Sequence, residues 1–153
     1  SKAYNMAGWR LGMAAGNPEV VGYIKNYKSQ VDTSHFEPIL AGGIAAMTGD
    51  QKWINDRNAI YQKRRDTVLA GLEEVGFEAL SPKAAIYIWT RVPKGFEDYE
   101  FCARLLRDTG ISTTPGAVYG EHGTGYFRIS LCTPRERIEE AMARMVDWVR
   151  VEI

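Results

Sequence analysis

The sequence predicts a mixed chain in which a run of helices precedes an α+β segment built on a partly antiparallel sheet. Between Pro18 and Gly76 the apolar residues recur at steps of three and four, the period of a helix with one buried face. From Phe77 onward, short runs rich in Ile, Tyr and Trp alternate with helical stretches and are punctuated by glycine and proline. No internal repeat interrupts this order.

Taken in order, Trp9 to Ala15 reads as a short buried strand closed by Gly16-Asn17-Pro18, which puts Arg10 at a strand entrance. Asn17-Pro18-Glu19 starts a helix with proline at its first position, and Val20, Val21, Ile24 and Tyr27 give it an apolar face. Gln30 to Ser34 breaks the pattern. Asp32, Thr33 or Ser34 is positioned to cap a second helix that carries Phe36, Ile39, Leu40, Ile44 and Met47 as far as Gly49. Gly42-Gly43 inside it costs about 1 kcal/mol per glycine relative to alanine, which points to close packing against another backbone. Asp50 begins a third helix reaching Glu74, with Ile54, Tyr61, Val68, Leu72 and Val75 on one side and Lys63, Arg64, Arg65 and Asp66 forming a solvated face. Gly76 stops it.

Phe77 to Leu80 and Ala85 to Val92 follow as strands, the second closed by Pro93-Lys94-Gly95. Asp98 is placed to cap a helix through Asp108, whose pairs Phe101, Leu105 and Cys102, Leu106 face the sheet. Gly110 ends that helix. Ile111 to Thr114 and Tyr126 to Leu131 are further strands, and Thr133-Pro134 opens a last helix with Ile138, Met142, Met145 and Val149 on one side.

The composition is that of a globular chain: 153 residues, 45% apolar and 25% charged, with no apolar run long enough to span a bilayer. Nineteen basic and nineteen acidic side chains balance, which leaves no broad attraction for nucleic acid or an anionic membrane. Cys102 and Cys132 are too far apart for a metal pair and too few for a disulfide scaffold, so both are expected as reduced thiols at or near the core of a cytoplasmic protein. His35 and His122 form no local metal motif, and His122 is expected to face solvent from a glycine-rich loop. The four tryptophans read as packing residues, with Trp9, beside an arginine, the exception to watch.

The chemistry concentrates at the start. Lys2 and Arg10 lie eight positions apart in a stretch punctuated by Gly8, Gly12 and Gly16, where the backbone can turn sharply and approach a bound group. A lysine amine can condense with a carbonyl once it has lost its proton, and a guanidinium forks onto phosphate oxygens through paired hydrogen bonds. Together they suit a phosphorylated aldehyde, although the spacing by itself fits two solvated surface charges better. The full string Ser1-Lys2-Ala3-Tyr4-Asn5-Met6-Ala7-Gly8-Trp9-Arg10-Leu11-Gly12 resembles the cofactor-lysine segment of the class I and II pyridoxal-phosphate aminotransferases. A second stretch, Pro115-Gly116-Ala117-Val118-Tyr119-Gly120 with Gly123 to Ser130, looks like the late glycine-rich segment of the same family.

That resemblance covers the whole chain. It implies that Lys2 binds pyridoxal 5'-phosphate covalently and carries the proton during amino-group transfer, that Arg10 holds the cofactor phosphate, and that Arg128 grips the substrate α-carboxylate. It implies no metal, amino-acid and 2-oxo-acid substrates, and a homodimer when full-length. It implies an overall α/β fold of fold type I, of which residues 1–50 are the last portion of the large cofactor domain, 51–76 a linking helix and 77–153 the small carboxyl-terminal domain. Family members are longer, so the chain is expected to be a carboxyl-terminal fragment, inactive alone. Tyr4 to Arg10 and Val31 to Ser34 are similar to members that act on LL-diaminopimelate or aspartate. A C–S lyase or cyclising synthase on the same fold, and the effector domain of an aminotransferase-like transcription regulator, stay open alternatives.

Overall fold

In a computed structural model that describes residues 1–153, the chain divides into two units, Ser1–Asp56 and Arg57–Ile153, with the division falling inside one long helix. The first unit is helical. α1, Pro18–Val31, starts where expected because the Asn17 side chain accepts hydrogen bonds from the N–H groups of Glu19, at 2.9 Å, and Val20, at 3.4 Å, with Pro18 at the position whose missing N–H costs nothing. Most of its apolar residues are not covered: Val20, Tyr23, Ile24 and Tyr27 are exposed, and Val21 is part-buried. α2, Glu37–Thr48, begins later than the polar residues at 32–34 suggest. Phe36 occupies the cap position without a side-chain bond, and Pro38 in the first turn fixes the start instead.

Two further expectations fail in this unit. Trp9 to Ala15 is not a strand: Ala7–Trp9 form a single 3-10 turn, and residues 10–15 are irregular and mostly exposed. A strand needs a neighbour to take its backbone hydrogen bonds, and residues 1–56 contain no other strand. Gly42 and Gly43 do lie against close neighbours, but these are side chains rather than backbone. A Cβ at Gly42 would sit 2.3 Å from the Trp9 ring, and one at Gly43 2.2 Å from Leu11 Cδ2. Trp9 therefore packs into a notch on α2.

α3, Lys52–Glu74, starts two residues after Asp50, whose carboxylate accepts the Lys52 N–H at 2.8 Å. It stops at Gly76, which takes the left-handed φ of 73° and lets Phe77 bond back to the Leu72 carbonyl at 2.9 Å. The charged cluster on α3 is only partly solvated. Lys63 and Asp66 are exposed, whereas Arg64 donates to the Leu131 carbonyl at 3.0 Å and Arg65 to that of Pro82 at 3.4 Å.

The second unit is an antiparallel sheet with helices on one face. Its strands are β1, Ala79–Leu80; β2, Tyr87–Arg91; β3, Thr114–Pro115; and β4, Tyr126–Ser130, in the order β1-β2-β4-β3. β2 and β4 each alternate buried and part-exposed residues, so Ile88, Thr90, Phe127 and Ile129 turn to the core. Both outer strands are two residues long, and β3 ends on a proline. The strand expected at 111–114 thus shrinks to 114–115, because Ile111 is drawn into the core from the preceding turn.

α4, Asp98–Thr109, and α5, Arg135–Glu152, close the core with α3. Phe101 is the hub, with its ring 4.9 Å from Phe127, 5.9 Å from Phe77 and 5.8 Å from Trp148 by centroids. Leu106 does not share that face; it is half exposed. Cys102 is buried and Cys132 exposed, both free, so the second thiol is not the core residue the sequence suggests. Cys132 follows β4 in the turn before α5, where the chain has already left the sheet.

Candidate functional site

In the first unit the loop of residues 1–10 is wound on itself. The Met6 N–H donates to the Ser1 carbonyl at 3.0 Å and the Trp9 N–H to that of Met6 at 3.2 Å. Asn5 and Arg10 both take left-handed backbone angles, φ 52° and 51°, which costs a non-glycine residue about 1–2 kcal/mol and persists only where neighbours enforce it. At Arg10 the enforcement is visible. Its N–H donates to the Ala7 carbonyl at 3.4 Å, and its carbonyl lies 3.1 Å from Nε2 of His35, a contact the sequence does not suggest. Tyr4 anchors the near end by donating its hydroxyl to Gln51 Oε1 at 3.2 Å.

Lys2 and Arg10 are both exposed on this loop. One terminal nitrogen of Arg10 donates to the Ala7 carbonyl at 3.3 Å, and a guanidinium with five N–H groups retains donors for an anion. A cleft of about 570 Å³ runs beside the loop, lined by Ser1, Ala3, Tyr4, Met6, Leu11 and residues of α2; neither Lys2 nor Arg10 lines it. Its wall is largely apolar, which suits a flat ring or a packed side chain better than a charged group.

Arg128 lies in the second unit, on the face of the sheet away from the core. The register sets Trp89 opposite Arg128 and Tyr87 opposite Ser130, while Thr114 pairs with Arg128 from the other side. Directly opposed residues share a face, so Tyr87, Trp89, Thr114 and Arg128 project together. The guanidinium carbon is 4.0 Å from the Tyr87 ring centroid and 4.5 Å from that of Tyr119. Trp89 packs edge-on against Tyr119 at 5.5 Å, and also against Tyr126 at 6.3 Å. Aromatic faces attract a guanidinium and hold its plane while leaving its N–H groups free to bond in that plane.

The hydrogen bonding sets Arg128 apart from its neighbours. Its Nε is buried with no partner. Arg57, Arg64 and Arg144 share that feature, but each commits a terminal nitrogen to an oxygen, of the Asn58 side chain and of the Leu131 and Thr109 carbonyls respectively. A buried donor without a partner costs about 1–3 kcal/mol, and no protein acceptor takes a hydrogen bond from the Arg128 side chain. Tyr87 and Tyr119 are the ring partners of Arg128, a contact the sequence alone assigns to neither. Tyr119 sits inside the Pro115 to Gly120 motif, and Tyr87 two places before Trp89 in an alternating strand, so the signal for both is present.

The loop that carries Tyr119 depends on glycine. Gly116 to Tyr119 form a 3-10 turn followed by a second one, Glu121–Gly123. A Cβ at Gly116 would sit 2.0 Å from the Gly123 carbonyl oxygen, and one at Gly123 2.1 Å from that of Gly116. Two backbones touch here with no room for any side chain. His122, between them, is fully exposed and contacts Glu121. Elsewhere in the unit, burial pushes the Cys102 thiol up, against the effect of the Thr113 hydroxyl that bonds its sulfur at 3.3 Å, which leaves it a poor nucleophile.

Comparison with known proteins gives a consistent answer. A family model described as aminotransferase class I and II matches residues 1–145. A curated LL-diaminopimelate aminotransferase from Dehalococcoides mccartyi is 43% identical over 148 residues, 97% of this chain and 38% of the relative. Among solved structures, a probable N-succinyldiaminopimelate aminotransferase from Thermus thermophilus superimposes with a TM-score of 0.88 at 32% identity, over 95% of this chain and 39% of that one. An aromatic aminotransferase from Pyrococcus horikoshii does so with a TM-score of 0.85 at 30% identity, over 99% and 41%. The chain thus spans less than half the length of the relatives it matches.

Proposed function

We propose, for a chain that belongs to the class I and II aminotransferases, that it forms the substrate-carboxylate end and the cofactor-lysine loop of an enzyme moving an amino group between an amino acid and a 2-oxo acid. The observation that carries this reading is the Arg128 guanidinium, held between the rings of Tyr87 and Tyr119 with a buried Nε that no protein group accepts. A planar fork with open donors fits a carboxylate, the group every α-amino and 2-oxo acid shares.

The donor set at the other end fits pyridoxal 5'-phosphate. Lys2 supplies the one kind of side chain that condenses with an aldehyde, and Arg10, on the same wound loop, supplies donors for a phosphate. When bound, the cofactor supplies a conjugated ring that accepts the charge developing on the substrate carbon. The chain's own contributions are separate from that chemistry. Arg128 binds and orients the carboxylate, Lys2 holds and moves the proton at its Nζ, and Arg10 fixes the phosphate. Relatives named for LL-diaminopimelate and N-succinyldiaminopimelate support a dicarboxylic substrate. We read residues 1–50 as the end of the large domain, 51–76 as a linking helix and 77–153 as the small domain of a cytoplasmic homodimer.

The test is an amino-transfer assay on the intact protein that carries this chain, with LL-diaminopimelate or aspartate as donor and 2-oxoglutarate as acceptor. Lys2→Ala and Lys2→Arg should both lose turnover, the second because a guanidinium cannot condense with the aldehyde. Arg128→Lys should keep turnover at saturation but raise KM for both acids by about ten- to a hundredfold, since one of two charge-assisted bonds is lost. Substantial amino transfer by Lys2→Ala, or release of ammonia and pyruvate in place of transfer, would overturn the reading.

A further inference from the structure

Asp98 is buried to 4% exposure and carries a carboxylate with no ion-pair partner, an expensive arrangement that needs a reason. The sequence places it as a helix cap, but it is the first residue of α4, with Glu97 in the cap position. One of its oxygens accepts the N–H of Tyr99 at 2.8 Å; the other reaches across to the N–H of Ala117, also at 2.8 Å. Ala117 belongs to the 3-10 turn Gly116–Tyr119, and Tyr119 is the ring that covers one face of Arg128 and packs on Trp89. Each oxygen thus receives one backbone donor, from two different elements. Asparagine would present an N–H₂ group to one of them.

We infer that Asp98 is a positioning residue for carboxylate recognition: by tying the 116–119 turn to the start of α4, it sets the Tyr119 ring against the Arg128 guanidinium and so fixes the plane of the fork. This rests on the reading of Arg128 as the carboxylate donor. Asp98 touches neither Arg128 nor the ligand in this scheme and acts through the turn. The turn has no other side-chain tether of this kind: its Gly116 is held by backbone contact with Gly123, which fixes where the loop lies but leaves the direction of Tyr119 to be set from Ala117 onward.

The experiment uses the intact protein and measures two quantities: the affinity for succinate, a dicarboxylate with no amine or keto group to react, by calorimetry, and the split of KM and kcat in amino transfer. Asp98→Asn and Tyr119→Leu should each weaken succinate and raise KM by roughly 5- to 20-fold, the range of a lost cation–π contact, with kcat within about twofold. The double variant should be no worse than Tyr119→Leu alone, because the two residues act as one chain of contacts. A merely structural Asp98 would lower the melting temperature without moving KM. Additive losses in the double variant would sink the inference; so would wild-type affinity in Tyr119→Leu, an arm that can be read even if Asp98→Asn proved too unstable to purify. Arg128→Lys separates the two claims. If it weakens succinate while Asp98→Asn and Tyr119→Leu do not, the positioning role fails and the carboxylate reading stands; if it too binds as wild type, the carboxylate reading itself fails.

Discussion

Glycine at 116 is a requirement of space. The carbonyl of Gly123 lies where a Cβ would go, and the Tyr126 carbonyl is 2.7 Å from the same point, so an added methyl meets backbone on both sides and cannot be accommodated by a rotamer change. Gly116→Ala should therefore cost about 3 kcal/mol, the upper part of the range for overpacking, measured by urea denaturation; Gly95→Ala, where nothing lies within 4 Å, meets no atoms but carries the left-handed backbone strain of a φ of 92°, about 1–2 kcal/mol, and serves as a comparison for strain without overpacking. A loss below about 1 kcal/mol at Gly116 would mean that the two turns can part. At this scale the sequence is informative about identity and poor about partners. Arg128 can be singled out from its motif, but its aromatic clamp depends on a register that pairs positions 87 to 91 with 126 to 130. No local pattern encodes that pairing. Asp98 escapes a local reading for a similar reason, since a capping bond is local and the bond to Ala117 spans 19 positions.

Among the elements, the helices follow their sequence signals most closely where a side chain or glycine marks the end. Asn17-Pro18, Gly76 and Gly110 each do what the rules for caps say, with Gly110 at a left-handed φ of 71°. The strand expected at Trp9 to Ala15 fails because strands depend on partners elsewhere, and none is present in residues 1–56. The contact between α4 and α5 makes a pH prediction. Asp108, near the end of α4, is held below the usual carboxylate range by its hydrogen bonds and charge contact with Arg107, and its second oxygen accepts the Trp148 indole N–H from α5 at 3.2 Å. A carboxyl whose folded-state value is lowered stabilises the fold above its unfolded value, and that contribution disappears as pH falls through the folded one. Asp108→Asn should lower the urea midpoint near neutrality and converge with wild type once acid has protonated the wild-type carboxyl in the folded state, with a small gap because the pair is exposed and screened by salt. A constant gap from neutral to acid pH would show that the charge is not responsible.

For the molecule as a whole, the two units differ in how they are held. Residues 57–153 enclose a core that includes fully buried Val68, Leu72, Ile88, Phe101, Leu105 and Phe127. In residues 1–56 the one buried residue is Gly43, while Tyr27 and Phe36 are each 73% exposed. Burial of apolar area is the main favourable term in folding, so protection should be uneven. Hydrogen exchange on the 153-residue chain should label the α1 amides first and those of β2, β4 and α5 last. Equal protection in α1 and α5 would contradict this. The large exposed apolar area at 20–36 also agrees with a chain that spans 38% of its relative from Dehalococcoides mccartyi.

The sheet's borders have a consequence of their own. β1 and β3 offer two residues each, and Pro115 has no N–H to lend, so an incoming strand from another molecule finds almost no ladder to extend. If such chains cluster at high concentration, they should do so through the greasy helices of the first unit, as amorphous and reversible assemblies, and not as fibrils seeded from the sheet.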